Sequence, residues 1–251
     1  MHQWLVGLFS EQAQEDVWGE DSSALICSSF PPVGTVESLK DGFRLTGKWI
    51  FSSGCDFCSW AIIGGRASVN GQEDSQKQCF FLVPRSDYEI DDNWHVLGLA
   101  GTGSKNLVLD GVFVPTHRIL VIEQAINGDA DGTKINTGSL YKFPFFTGLT
   151  TSICTPVLGM AQGALDHYLR IIENRASKGG FTPAKGKIGD YQSIQLRVAE
   201  AAASVDSARM LLMRVVEDTM AAAESIEGPS VKLRIRNRRD QTFAVRLLVN
   251  G

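Results

Sequence analysis

Ser52 and Ser53 stand between an apolar run and Gly54, where a hydroxyl can donate or accept a hydrogen bond while filling little space. Without further context they read as turn residues at the end of a strand. Four histidines supply imidazoles whose ordinary pKa suits proton transfer near neutral pH. Of these, His95 beside Trp94 reads as a turn or rim residue, His117 after Val-Pro-Thr as exposed, and His167 as a helix-surface residue. Cys55 and Cys58 form a Cys-x-x-Cys, which could serve zinc or redox chemistry. A structural zinc site needs a second pair of ligands at similar spacing, and the sequence has none. The run after Cys58 is an apolar strand, not the helix start of a thioredoxin-like site, so packed thiols are expected. Paired ligands of the His-Glu-x-x-His type are absent, and no metal is expected. Gly101-Thr102-Gly103 lacks the third glycine and the strand-to-helix setting of a dinucleotide fingerprint. The basic cluster Lys232, Arg234, Arg236, Arg238 and Arg239 reads as a solvated helix face, with a phosphate or a neighbour's acids as the alternative.

Three stretches must position these groups. Residues 1–18 carry Trp4, Leu5, Leu8 and Phe9 at helical spacing and read as the end of a helical domain. Residues 19–137 read as a β domain. Its clearest signal is a hairpin, Val36 to Lys40 and Phe43 to Phe51, around Asp41-Gly42. Further strands are expected from Trp60 to Gly64, Gln78 to Val83 and Lys105 to Val114. Their close punctuation by turn residues favours a barrel or sandwich. Residues 138–251 turn helical. Ile194, Val198, Ala201, Val205, Ala208, Leu212 and Val215 keep one apolar stripe on a long helix, with neighbours over 151–175 and 230–249. The fold class is therefore α+β, a β domain followed by a helical bundle.

Composition narrows the partners. The 251 residues are 43% hydrophobic and 21% charged, with a formal charge of −4, which argues against a general nucleic-acid binder. No apolar run approaches the ~20 residues that span a bilayer. The opening residues lack the basic and small-residue features of a signal peptide, so a cytoplasmic protein with reduced cysteines is expected, the five-cysteine count being odd.

Two motifs in order carry a resemblance. GFRLTGKWIFSSG (Gly42 to Gly54) and GLAGTGSKNLVLDGVFVP (Gly98 to Pro115) are similar to the β-domain motifs of the acyl-CoA dehydrogenase superfamily. The segment ahead of the hairpin, ALICSSFPPVGT (Ala24 to Thr35), lacks the acidic residues of the true dehydrogenases. With VWGEDSSALICSS and SSGCDFCSW it resembles the branch of two-component, flavin-dependent aromatic hydroxylases, those like the p-hydroxyphenylacetate hydroxylase oxygenase component.

The resemblance implies an acyl-CoA dehydrogenase-like fold. It also implies an oxygenase that receives reduced FMN or FAD from a separate reductase and hydroxylates a phenolic substrate with O2 through a C4a-hydroperoxyflavin. Trp49, Phe51, Ser52, Ser53 and Gly54 then fall beside the flavin, with Ser53 at N5. His2 and Ser28 fall where the family grips the phenolic oxygen, and Lys142 and Phe143 could line the same pocket. A tetramer is implied for the full-length protein, with no nucleic acid or membrane partner. The family has a further active-site histidine in helices beyond residue 251, and residue 1 falls inside its N-terminal helical domain, so the resemblance implies truncation at both ends. An acyl-CoA dehydrogenase or oxidase, and a non-catalytic flavin-binding paralogue, are the alternatives.

Overall fold

A computed structural model describes residues 1–69, 76–176, 186–225 and 228–250. They divide into two compact units, Met1–Lys142 and Phe143–Gly251. In the first, helices α1 (His2–Val6) and α2 (Glu11–Trp18) precede eight strands. These are β1 (Ile26–Ser29), β2 (Thr35–Leu39), β3 (Gly42–Ser52), β4 (Trp60–Ser68), β5 (Gln76–Pro84), β6 (Glu89–Asp91), β7 (Lys105–Pro115) and β8 (Ile119–Val121). Among the described residues the strands form two four-stranded sheets, ordered β1-β4-β5-β8 and β2-β3-β7-β6. Cys27, Ile63 and Phe81 of the first sheet and Leu45, Trp49 and Leu107 of the second share one core cluster, which makes the unit a sandwich.

The N-terminal stretch does not stand apart as a domain of its own. It is two short helices, the second capped by Ser10, whose Oγ accepts from Ala13 N at 3.3 Å. Leu5, Val6, Leu8 and Phe9 are all buried. Asn136 Nδ2 donates to Gly7 O at 2.9 Å and to Gln14 Oε1 at 3.0 Å, tying the helices to the end of the same unit. The break between units falls after Lys142 rather than at 137.

The expected hairpin forms one residue early. Leu39 pairs with Gly42, so Lys40 and Asp41 make the turn, and neither has a positive φ. Gly42 serves a different need. A Cβ there would sit 2.4 Å from Val114 O, so the glycine permits β7 to approach.

Among its described residues the second unit holds three α-helices, α4 (Phe145–Asn174), α5 (Gln192–Ala223) and α6 (Val231–Asn250), after a short α3 (Ile122–Asn127) in the first. The expected stripe on α5 is buried at Val205, Ala208, Leu212 and Val215, while its first turns at Ile194, Val198 and Ala201 are half-buried. The basic cluster lies on an exposed helix face, with Arg236 half-buried, and part of it is paired within the unit. Arg236 pairs with Asp218, Arg239 with Asp240 at 2.7 Å, and Arg238 Nη1 donates to Thr150 Oγ1 at 2.9 Å. Gly251 and residues 226–227, which bound the expected helices, lie outside the described residues.

Candidate active site

The site begins with a fault in β3. From Phe43 through Leu45 to Trp49, alternate residues face the core, and continued alternation would bury residue 51. The register against β7 shifts between Trp49 and Ser52. The extra residue inverts the phase, so that Phe51 turns out, 61% exposed, and Ser52 turns in, fully buried. Phe51 takes φ +61 to do so. The other non-glycine residue with positive φ among the described residues is Leu99, φ +59, in the turn that packs on the same strand end. Strain of this kind collects at functional corners.

That turn is fastened to the strand end by Gly54 N, which donates to Thr102 O at 2.9 Å, with Gly54 itself at φ +72. Lys105 adds ion pairs at 3.0 Å to Asp56 and to Asp92. Ser53 is exposed, and its Oγ lies 2.7 Å from the buried Ser104 Oγ. Phe51 beside it is exposed, with Trp94 edge-on at 6.0 Å, and Phe57, Leu97 and Leu99 in the adjoining turns are exposed apolar residues too.

The second element of the site is β1. Cys27 and Ser29 face β3 and the core, which leaves Ser28 on the side toward α1. There His2 Nε2 and Ser28 Oγ lie 2.8 Å apart. Ser29, the next residue, donates from Oγ to Ile50 O at 2.6 Å, beside the bulge. That bond ties β1 to the bulged end of β3, while the imidazole–serine pair lies on the opposite face of β1. Burial, with a smaller contribution from the neighbouring N-terminal ammonium, lowers the His2 pKa to about 4, so the ring is neutral at physiological pH.

Of the residues expected beside a flavin, Phe51, Ser53 and Gly54 reach the surface. Trp49 and Ser52 do not. Trp49 is fully buried with Nε1 donating to Gly64 O at 2.7 Å, so it supports the bulge from within. Ser52 Oγ, buried by the phase inversion, has no partner within hydrogen-bonding distance, although it lies near enough to Cys27 to draw that thiol's pKa down. The Cys58 thiol is the larger cause of the same shift, which brings Cys27 to about 7 and pushes Cys58 upward. All five cysteines are free. His117 is half-buried, not exposed, with Nε2 2.7 Å from Asp16 Oδ2, which also accepts from Arg118 Nε at 2.6 Å. His95 and His167 are exposed, as is Lys142, whereas Phe143 is buried. No group of three or more metal-ligating side chains occurs among the described residues. Ser104 and Thr102 were missed. Their signal was two hydroxyls two residues apart in a glycine-rich turn, which by itself reads as turn chemistry.

Comparison with known proteins agrees with this architecture. The model of the acyl-CoA dehydrogenase C-terminal domain matches residues 151–251. The oxygenase component of an FADH(2)-dependent resorcinol hydroxylase from Rhizobium sp. (strain MTP-10005) is 42% identical over 250 residues, which are 97% of this chain and 61% of that protein. The crystal structure of 3-HSA hydroxylase from Rhodococcus sp. RHA1 superposes with a TM-score of 0.88 at 39% identity, covering 99% of this chain and 62% of that one. The chain belongs to the acyl-CoA dehydrogenase superfamily. Relatives there include proteins described as oxygenase components of flavin-dependent hydroxylases and monooxygenases. XiaF from Streptomyces sp., solved with FADH2 and glycerol, matches at TM-score 0.82 and 25% identity over 98% of this chain and 61% of that one. The chain thus spans about three fifths of the length of these superfamily members. No helix among the described residues is long and apolar enough to cross a membrane.

Proposed function

We propose that this chain is the oxygenase component of a two-component monooxygenase. It would take reduced FMN or FAD from a separate reductase and place one atom of O2 on a phenolic ring. The observation that carries this reading is the His2 Nε2–Ser28 Oγ contact at 2.8 Å, on the strand that the Ser29–Ile50 bond ties to the bulged corner of β3 beside Ser53. The residues at that corner suit a flavin. Exposed Phe51 offers an apolar surface to a flat ring, and Ser53 a hydroxyl at its polar edge. Phe51, Ser53 and Gly54 would hold the ring. When bound, reduced flavin supplies the two electrons that let one oxygen atom enter the substrate while the other leaves as water.

The chain's own groups do the remaining work. Neutral His2 accepts the Ser28 proton at Nε2, which leaves the Ser28 Oγ lone pairs to accept from a phenolic hydroxyl. Drawing that proton toward Ser28 and on to Nε2 raises electron density on the ring carbon ortho to the oxygen. A bound flavin would cover Phe51 and Leu99, whose apolar side chains would then keep water from its edge and favour transfer of oxygen to substrate over its loss as hydrogen peroxide. A tetramer and a cytoplasmic setting belong to the same proposal.

The test mixes the chain with photoreduced FMN or FAD, 18O-labelled O2 and a panel of phenols including resorcinol and p-hydroxyphenylacetate. One labelled oxygen in the ring product is expected. His2→Ala should lower product formation by about 100-fold while oxygen is still consumed. Anaerobic reduction of bound flavin by an acyl-CoA, with no labelled phenol product, would overturn the reading.

A further inference from the structure

Beneath Ser53 runs a short chain of hydroxyls whose direction is set at its far end. Ser53 Oγ lies 2.7 Å from Ser104 Oγ, which lies 2.7 Å from Thr102 Oγ1. Thr102 Oγ1 lies 3.0 Å from the Leu99 carbonyl oxygen. A hydroxyl has one proton to give, and a carbonyl oxygen has none. The Thr102 proton is therefore committed to Leu99. With only lone pairs left, Thr102 must accept from Ser104, and Ser104 in turn must accept from Ser53. The opposite order would leave two unprotonated faces of oxygen opposed at 3.0 Å between Thr102 and Leu99.

The anchor is firm. The Leu99 carbonyl also accepts from Trp94 Nε1 and from Thr102 N, both at 3.1 Å. Ser104 is 6% exposed, so little water reaches the middle of the chain to reverse it. At its outer end Ser53 has spent its proton inward and presents lone pairs alone.

We propose that Thr102 and Ser104 are positioning residues that fix the Ser53 hydroxyl as an acceptor, and that this makes the site select reduced over oxidised flavin. The inference rests on the reading that Ser53 meets flavin N5. Reduced flavin carries a hydrogen on N5 and can donate it to Ser53. Oxidised flavin has a bare N5, whose lone pair would oppose that of Ser53. The mismatch forfeits a hydrogen bond and leaves two acceptors facing each other. Loading of the reduced form and release of the oxidised form would then follow from the direction of three hydroxyl protons.

The test compares the affinity of the chain for oxidised FMN and for FMN reduced anaerobically with dithionite, together with the midpoint potential of bound FMN. The unsubstituted chain should prefer the reduced form. Thr102→Val removes the committed donor and frees Ser104 to turn its proton toward Ser53. The preference should then fall by about three- to tenfold, a tenfold loss lowering the midpoint potential by about 30 mV for a two-electron couple. Ser104→Ala should act in the same direction, and Thr102→Ser, which keeps the donor, should retain the original ratio. Thr102 is only half-buried, so its valine variant, checked by circular dichroism, keeps the test open if Ser104→Ala fails to fold. Unchanged ratios in variants that still bind FMN would overturn the inference and leave the proposed function standing. Failure of the unsubstituted chain to bind either form would overturn both.

Discussion

The two units hold themselves together by different means. In the β unit, Leu5, Trp49, Ile62, Phe81 and Leu107 are all fully buried, and its most exposed large apolar residues, Leu97 and Phe57, lie in the turns before β7 and after β3. In the helical unit the buried set is rich in polar groups. Thr219, Asn237, Asp240 and Gln241 are each at most 2% exposed, while Met210, Ile235, Ile153 and Val249 face outward. Gln241 Nε2 donates to Thr151 Oγ1 at 2.8 Å and to Thr147 O at 3.1 Å, and Asn237 Nδ2 to Thr219 Oγ1 at 2.7 Å. Apolar burial, which is non-directional, sustains the sandwich. Directional bonds fix the register of the helices, where a lost partner costs more than a lost contact.

The comparison can be broken most severely at Trp49. Trp49→Ala removes the largest fully buried side chain together with its bond to Gly64 O, and should cost the β unit about 4 kcal/mol. Denaturant unfolding followed by native-state hydrogen exchange reads the loss, which should be confined to amides of Met1–Lys142. Equal deprotection in both units would show that they do not unfold separately. Asp240→Ala is the counterpart in the helices. Asp240 accepts from Arg214 Nη2 at 2.6 Å and from Arg239 Nε at 2.8 Å, and its removal should cost about 3 kcal/mol, at the low end for a buried pair because both arginines reach water. A cost below about 1 kcal/mol, the range of an exposed pair, would contradict the polar account of that interior.

Acid should separate the units by a smaller margin. The folded pKa of His2, about 4, lies below its ordinary 6.5, so the unfolded chain binds more protons between those values. Stability of the β unit is then full above pH 6.5 and falls as pH drops toward 4. Burial pushes the Asp240 carboxyl up, but Arg239 and Arg214 outweigh it and hold its pKa below the usual 3.8. Its contribution persists until pH falls below that value. The β unit should therefore lose exchange protection first on acidification. His2 is partly exposed, and screening makes this the smallest of the three effects. Loss of protection in the helices at the higher pH would reverse the assignment.

Much of this architecture was legible from spacing. The α5 stripe and the β2–β3 hairpin follow from periodicity and turn residues, because both signals are local. What escaped was set by contacts across the chain. The turn moved to Lys40-Asp41 because Gly42 is required by β7, more than 70 residues away. β1 escaped because Cys27-Ser28-Ser29 has a weak strand signature and pairs in parallel with β4. His117 looked exposed because its partner, Asp16, lies 101 residues earlier. In the candidate site, His2, Ser28 and Ser53 came from resemblance. Nothing local in the sequence marked the bulge that turned Ser52 inward, and the direction of the Ser53 proton needed the Leu99 carbonyl in place.

The Ser29–Ile50 bond joins strands of different sheets. The imidazole–serine pair rides on the sheet of β1, and the hydroxyl chain on the sheet of β3 and β7. A nascent polypeptide with one sheet in place would hold one half of the corner and not the other. Both halves of the proposed site are therefore present only once the chain has been made through β7, which ends at Pro115.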